Sequence, residues 1–212
     1  PLMKAVADFW VSRVTRNDDG SYSICNVVGA DEYANGVDDN AFTNGAAIRA
    51  LEYACEAARI CNEPVPEIWK EVGKGIRILR FKDGVTREHA TYNGEMIKQA
   101  DVNLLGYPLY FVGDAESQKK DMEYYVDKID PQNGPAMSYS VFCVQYARMG
   151  DAKRAYEMFC RCYQPNLRAP FGVLAETPTS DNPYFMTGAG GLLQAVINGF
   201  CGLQITDGGV EQ

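Results

Sequence analysis

Two loops of this chain set a carboxylate among apolar, aromatic and glycine residues, a setting that tunes carboxyl groups for acid or base work. The first runs Val27-Val28-Gly29-Ala30-Asp31-Glu32-Tyr33 and continues into Asp38-Asp39-Asn40-Ala41-Phe42-Thr43-Asn44. The second is Gly172-Val173-Leu174-Ala175-Glu176-Thr177-Pro178. Asp31 and Glu32 are compatible with plain solvated loop charges. The Val-Val run before them and the Tyr after them lead instead to the expectation that Glu32 sits against apolar walls. Such walls raise a carboxyl pKa and keep its proton available for general-acid work. Two carboxylates of this kind in one chain are what glycoside hydrolysis requires.

Other chemistries lack their parts. The single histidine, His89, would have to serve any Ser-His-Asp or Cys-His arrangement, and no G-x-S-x-G elbow is present. It reads as a solvent or loop histidine, and a His/carboxylate metal cluster is equally short of ligands. None of Cys25, Cys55, Cys61, Cys143, Cys160, Cys162 and Cys201 forms a C-x2-C pair, which disfavours zinc. They read as buried free thiols of a reducing compartment. Thr187-Gly188-Ala189-Gly190-Gly191 lacks the Lys and Ser/Thr of a phosphate loop. The net charge of −8, with no basic cluster beyond pairs such as Lys119-Lys120, argues against a nucleic-acid partner. No apolar run approaches the roughly 20 residues that a membrane span needs. With 46% hydrophobic and 23% charged residues, the composition is that of a globular chain.

The elements that must position these groups read as helices. In residues 43–61, Arg49, Glu52, Glu56, Arg59 and Glu63 recur at helical spacing against an Ala-rich face. Residues 2–14 and 65–79 read as helices on either side, the latter with Pro66 in its first turn. Further helices are expected over residues 98–112, bent or ended at Pro108, and over 114–129. Residues 135–149 and 151–163 form a pair joined at Gly150-Asp151, a stop followed by an N-cap. Residues 187–200 carry no charge, which marks a buried helix. Strand alternation is confined to residues 21–28 and 202–206. The fold class is therefore all-α, with amphipathic and uncharged helices suiting a toroid of helical hairpins. The loops 17–42, 80–97 and 164–186 exceed the roughly 12–15 residues beyond which an unstructured loop is usually functional.

The segment Gly29-Ala30-Asp31-Glu32-Tyr33…Asp39-Asn40-Ala41-Phe42-Thr43-Asn44 resembles the catalytic-acid loop of glycoside hydrolase family 65. Ile97-Lys98-Gln99-Ala100-Asp101-Val102 and Met186-Thr187-Gly188-Ala189-Gly190-Gly191-Leu192-Leu193-Gln194 are similar to further motifs of that family, in its order. The resemblance implies a partial (α/α)6 barrel, inverting action on small α-glucosides, and neither metal nor organic cofactor. It implies Glu32 as general acid, with Lys98 and Gln99 holding glucose hydroxyls in the −1 subsite. One departure stands out. The family's Trp-Asp pair has no counterpart before Glu32, because Trp10 is not followed by Asp. Together with the initial Pro1, this leads to the expectation that residues 1–212 are the C-terminal portion of the catalytic barrel, truncated at its N-terminal side and poorly active alone.

The family divides into hydrolases and phosphorylases. A phosphate-accepting site wants cations or hydroxyl and backbone donors and cannot tolerate a facing carboxylate. The stretch corresponding to the phosphorylases' phosphate segment, Gly134-Pro135-Ala136-Met137-Ser138-Tyr139-Ser140-Val141-Phe142, has no cation. Glu176 falls where the hydrolytic members place their general base. The favoured reading is thus an inverting exo-α-glucosidase of disaccharide-like substrates, with the two carboxyls roughly 6.5–9.5 Å apart at one mouth of the toroid. A phosphorylase of the same family is the alternative, and a non-catalytic helical domain binding carbohydrate or protein is the alternative from another class.

Overall fold

The computed structural model describes residues 1–111, 114–206 and 208–212. It is mostly helical: α1 (Leu2–Arg13), α2 (Ala41–Ile60), α3 (Glu67–Gly75), α4 (Ala115–Tyr125), α5 (Ser138–Arg148), α6 (Ala152–Arg161) and α7 (Met186–Gln194). Starts are set by side chains that accept the otherwise orphaned first-turn N–H groups. Asn40 accepts from Thr43 N at 2.8 Å, Asp114 from Ser117 N at 2.7 Å, and Asp151 from Arg154 N at 3.0 Å. Gly150 ends α5 at φ 78°, a left-handed position that glycine occupies without strain.

Two apolar clusters hold these helices. One gathers Ile24, Leu51, Trp69, Val72 and Ile76 where α1, α2 and α3 meet. The other gathers Leu105, Met122, Tyr125, Phe142 and Met158 from the segment after Asp101 and from α4, α5 and α6. Phe111 packs against both. Short antiparallel pairs stitch the loops: β1 (Thr15–Arg16) with β2 (Tyr22–Ser23), β3 (Leu167–Arg168) with β4 (Val173–Leu174), and β5 (Gln204–Thr206) with β6 (Gly209–Glu211). Only the second and fifth of these strands fall within the expected strand regions.

Two expectations are overturned. The helix expected over 98–112 is a single 3-10 turn, Val102–Leu105; Val112 lies outside the described residues. Its start is diverted because Lys98 N donates to the Asp31 carboxylate at 2.7 Å, and Ile97 bridges to Ile129. The uncharged helix at 187–200 is only partly buried. It begins as α7 and continues as a π-helix, Ala195–Phe200. Small residues make its inward contact: a Cβ on Gly191 would stand 2.6 Å from Ser140 Oγ, and one on Gly199 3.4 Å from the Val144 backbone. Leu193, Ile197 and Phe200 remain exposed. Lack of charge therefore marks a closely approached helix rather than a submerged one.

Phe142 is fully buried at the centre of the α4–α6 cluster. Phe142→Ala should cost about 3–5 kcal/mol of stability, read as a lowered urea midpoint with unchanged slope.

Candidate active site

The site is organised around a carboxylate that never reaches solvent. Asp101 is 0% exposed. Its Oδ2 accepts from Ala30 N at 2.8 Å, Asp31 N at 3.3 Å and Asn40 Nδ2 at 3.0 Å, and its Oδ1 from Phe42 N at 3.4 Å. Burial raises its pKa while these donors oppose the rise by favouring the ionised form. Asn40 caps α2 with its oxygen and gives its amide to Asp101 and to Glu88 O. One amide thus ties the acid loop, the start of α2 and the loop 80–97 together. The acid loop passes so close that a Cβ on Gly29 would stand 2.3 Å from Asn40 Nδ2 and 2.5 Å from Asp101 Oδ2. Glycine is needed there for approach, not for an unusual φ.

Beyond Gly29 the two acids diverge. Asp31 turns inward, 2% exposed, and its Oδ1 accepts from Lys98 N at 2.7 Å and Tyr33 N at 3.2 Å. Burial raises its pKa against those donors. The Glu32 side chain turns outward, 58% exposed, and its Oε2 accepts from Lys98 Nζ. The expectation of apolar walls around Glu32 is therefore wrong. Asp31 and Glu32 lie in a turn closed by Ala34 N donating to Asp31 O at 3.2 Å, and Asp31 occupies its inner side. Gln99 Nε2 donates to Ala30 O, so Lys98 and Gln99 grip the acid loop from both sides of Asp31. Tyr33 OH donates to Asp130 Oδ2 at 2.8 Å, and Asp130 is held down to about 2 by the Asn133 amide and the backbone N–H groups of Gln132 and Asn133.

Glu176 is brought to the same region along a different route. Ala136 N and Asn166 Nδ2 both donate to Glu176 O at 3.1 Å, and Arg168 gathers the carbonyls of Thr177, Pro178 and Ser180. Gly134 packs against the Lys98 backbone: a Cβ placed on it would stand 3.1 Å from Lys98 O. The Glu176 side chain is partly exposed. The Lys98 pKa is raised chiefly by the Glu32 contact, and the charge of Glu176 contributes in the same direction. Lys98 thus stands in the field of both carboxylates. The four residues expected from sequence, Glu32, Lys98, Gln99 and Glu176, lie on loops that meet there.

The residues that build the setting, Asp101, Asp31, Asn40 and Glu88, had no role assigned from sequence. The available signal was Asp101 itself, a carboxylate within the otherwise apolar Ala100-Asp101-Val102 run. His89 is a partly buried loop histidine; its ring meets Thr91 Oγ1 at 3.2 Å and burial lowers its pKa. The thiols are free, but only Cys55, Cys143 and Cys162 are buried, while Cys61 and Cys201 are exposed at chain turns. The expectation of uniformly buried thiols fails there because both follow the last helical turn.

Gly29→Ala should push the acid loop off Asp101 and cost about 1–3 kcal/mol, the usual range for overpacking. Amide exchange should rise at Ala30 and Asp31 and stay unchanged in the α5–α6 hairpin.

Residues 1–77 match the model of the glycosyl hydrolase family 65 central catalytic domain. A kojibiose hydrolase of Mucilaginibacter mallensis is 49% identical over 212 residues, covering 100% of this chain and 31% of its own length. A protein-glucosylgalactosylhydroxylysine glucosidase of Dictyostelium discoideum is 38% identical, covering 99% of the chain and 30% of its own. An acid trehalase of Emericella nidulans is 34% identical, covering 97% and 20%. Among solved structures, one assigned as a kojibiose phosphorylase, from human microbiome, superposes with a TM-score of 0.71 at 19% identity, over 98% of this chain and 33% of that one. The chain spans about a third of the length of the kojibiose hydrolase it matches. By the family match, residues 1–77 belong to glycosyl hydrolase family 65, and the kojibiose hydrolase and the glucosidase are similar to the chain along nearly its whole length.

Proposed function

We propose that this chain carries the acid and base of an inverting exo-α-glucosidase of disaccharide-like substrates, set on one arc of an (α/α)6 barrel. The observation that carries the reading is the place of Lys98, whose ammonium contacts Glu32 and feels the charge of Glu176. Glu32 is the general acid and Glu176 the base that activates water. Here Lys98 and Glu32 satisfy one another. Hydroxyls of a glucose in the −1 subsite would take over the ammonium and leave Glu32 facing the glycosidic oxygen. Gln99 would serve the same sugar, its amide now occupied by Ala30 O.

Hydrolysis is favoured over phosphorolysis by the segment 134–142. Its serines serve the fold: Ser138 Oγ accepts from Ala100 N at 3.2 Å and Ser140 Oγ donates to Met137 O at 2.5 Å. Both serines are buried, and the segment has no cation. A phosphate dianion would find few free donors there and a carboxylate, Glu176, nearby. The names of the 49% and 38% identical relatives, a kojibiose hydrolase and a glucosidase, point the same way.

In the full-length protein, Glu32→Gln should lower turnover of natural α-glucosides by about 10²–10⁴-fold, with much smaller losses on substrates bearing good leaving groups. Equal losses on both would remove the acid assignment. Glu176→Ala should abolish hydrolysis, and azide should restore turnover by filling the vacated water position, giving a β-glucosyl product. Unaltered hydrolysis in that variant would remove the base assignment.

A further inference from the structure

A third buried acid has no part in the chemistry above. Glu88 is 0% exposed, and neither carboxyl oxygen receives a hydrogen bond from an N–H or hydroxyl group. Its surroundings are set by Asn40, whose amide donates to Glu88 O and to Asp101 Oδ2, the same oxygen that accepts from Asp31 N, and its charged neighbours are the carboxyls of Asp101 and Asp31.

Among the described residues no positive charge is left to offset these carboxyls. The titratable groups facing Glu88 are Asp31, Asp101, Glu95, Tyr92 and Tyr125. Arg87 spends its guanidinium on Tyr92 O at 2.6 Å and Asn93 Oδ1 at 3.0 Å. Lys98 Nζ is taken by Glu32, and burial disfavours the charged form of His89. Among the described residues no group of His, Cys, Asp and Glu is arranged to hold a metal ion. Two facing, desolvated carboxylates are strongly unfavourable unless a proton lies between them.

We propose that Glu88 stays protonated at neutral pH and donates its proton to Asp31, a carboxyl–carboxylate hydrogen bond that positions the acid loop from behind. Asp31 carries the effect forward, since its other contacts are Lys98 N and Tyr33 N, on either side of the Glu32–Lys98 contact. Glu88 is itself fixed, because its carbonyl accepts from Ala41 N at 2.7 Å at the start of α2. Burial first, then the charges of Asp101 and Asp31, push the Glu88 carboxyl up to about 9. The positioning role rests on the acid assignment of Glu32; the shared proton does not.

A folded-state pKa above the ordinary 4.5 means the folded chain holds this proton more tightly than the unfolded one. Its stabilisation is complete below that ordinary value and is lost as pH rises through about 9. Glu88→Gln keeps a donor toward Asp31 and removes the titration. In the full-length protein, the Tm of Glu88→Gln relative to wild type should therefore climb steadily from pH 5 to pH 9; an offset that does not change with pH overturns the proposal. The infrared spectrum of wild type at pH 7 should show a protonated-carboxyl stretch that disappears on raising the pH through the alkaline range. Its absence at pH 7 overturns the proposal even if no variant folds. Glu88→Leu, which has no donor, should lower kcat by at least about tenfold with little change in KM, and Glu88→Gln should recover most of it and move the alkaline limb of the profile. Full activity in Glu88→Leu overturns the positioning role. If wild type fails to hydrolyse α-glucosides, the functional reading fails, while the infrared and Tm results still decide whether Glu88 holds the proton.

Discussion

Everything at the site depends on one buried carboxylate, Asp101, accepting hydrogen bonds from three backbone N–H groups and one side-chain amide. An ionised carboxylate removed from water is tolerated only when its lone pairs are met by donors. The chain meets that demand with donors from the acid loop (Ala30, Asp31) and from the first turn of α2 and its cap (Phe42, Asn40). The demand therefore works as a constraint on geometry. The acid loop can satisfy Asp101 only by running tightly across it, which is why residue 29 is glycine and why Glu32 emerges beside Lys98.

The layers behind this node are more acidic than a core usually is. Asp31, Glu88, Asp101 and Asp121 are all buried, and burial raises the pKa of each. Asp121 has a local structural use: it accepts from Thr86 N at 2.7 Å while Tyr125 OH donates to Thr86 O at 2.7 Å, pinning the loop 80–97 to α4. The same loop then delivers Glu88 against the back of Asp31. The loop 80–97 is thus held largely by buried polar contacts, as buried backbone without helix or sheet partners requires. On the proposed reading, this buried support behind the acid loop leaves the exposed Glu32 and the half-buried Lys98 to exchange partners with a sugar.

Much of this was legible in the sequence where local rules decide. Gly150 and Asp151 marked helix ends because capping chemistry is written within a few residues. The meeting of the loops bearing Glu32, Lys98 and Glu176 was legible through resemblance to a family, with no local signal linking positions so far apart. What escaped was set by long-range hydrogen bonds. The apolar run after Lys98 has helical composition, yet the backbone at its start is claimed by Asp31 and Ile129, so only the 3-10 turn Val102–Leu105 forms. The buried carboxyl is Asp31 rather than its neighbour Glu32, because the side of a turn that a side chain takes is not set until a partner such as Asp101 fixes the loop. The helix at 186–200 misled for a related reason: its glycines allow close contact with α5 on one side, and absence of charge says nothing of the other side.

The central claim is that Glu32 and Glu176 act as an inverting acid and base on an α-glucoside. It is tested most directly by following the full-length protein on an α-linked glucose disaccharide by proton NMR, without phosphate, from the first minutes of turnover. Inversion by water predicts β-glucose appearing first, with the α-anomer rising only by slow mutarotation, and a rate that added phosphate does not increase. Initial release of α-glucose, or turnover that begins only when phosphate is supplied and yields a sugar phosphate, would contradict the account.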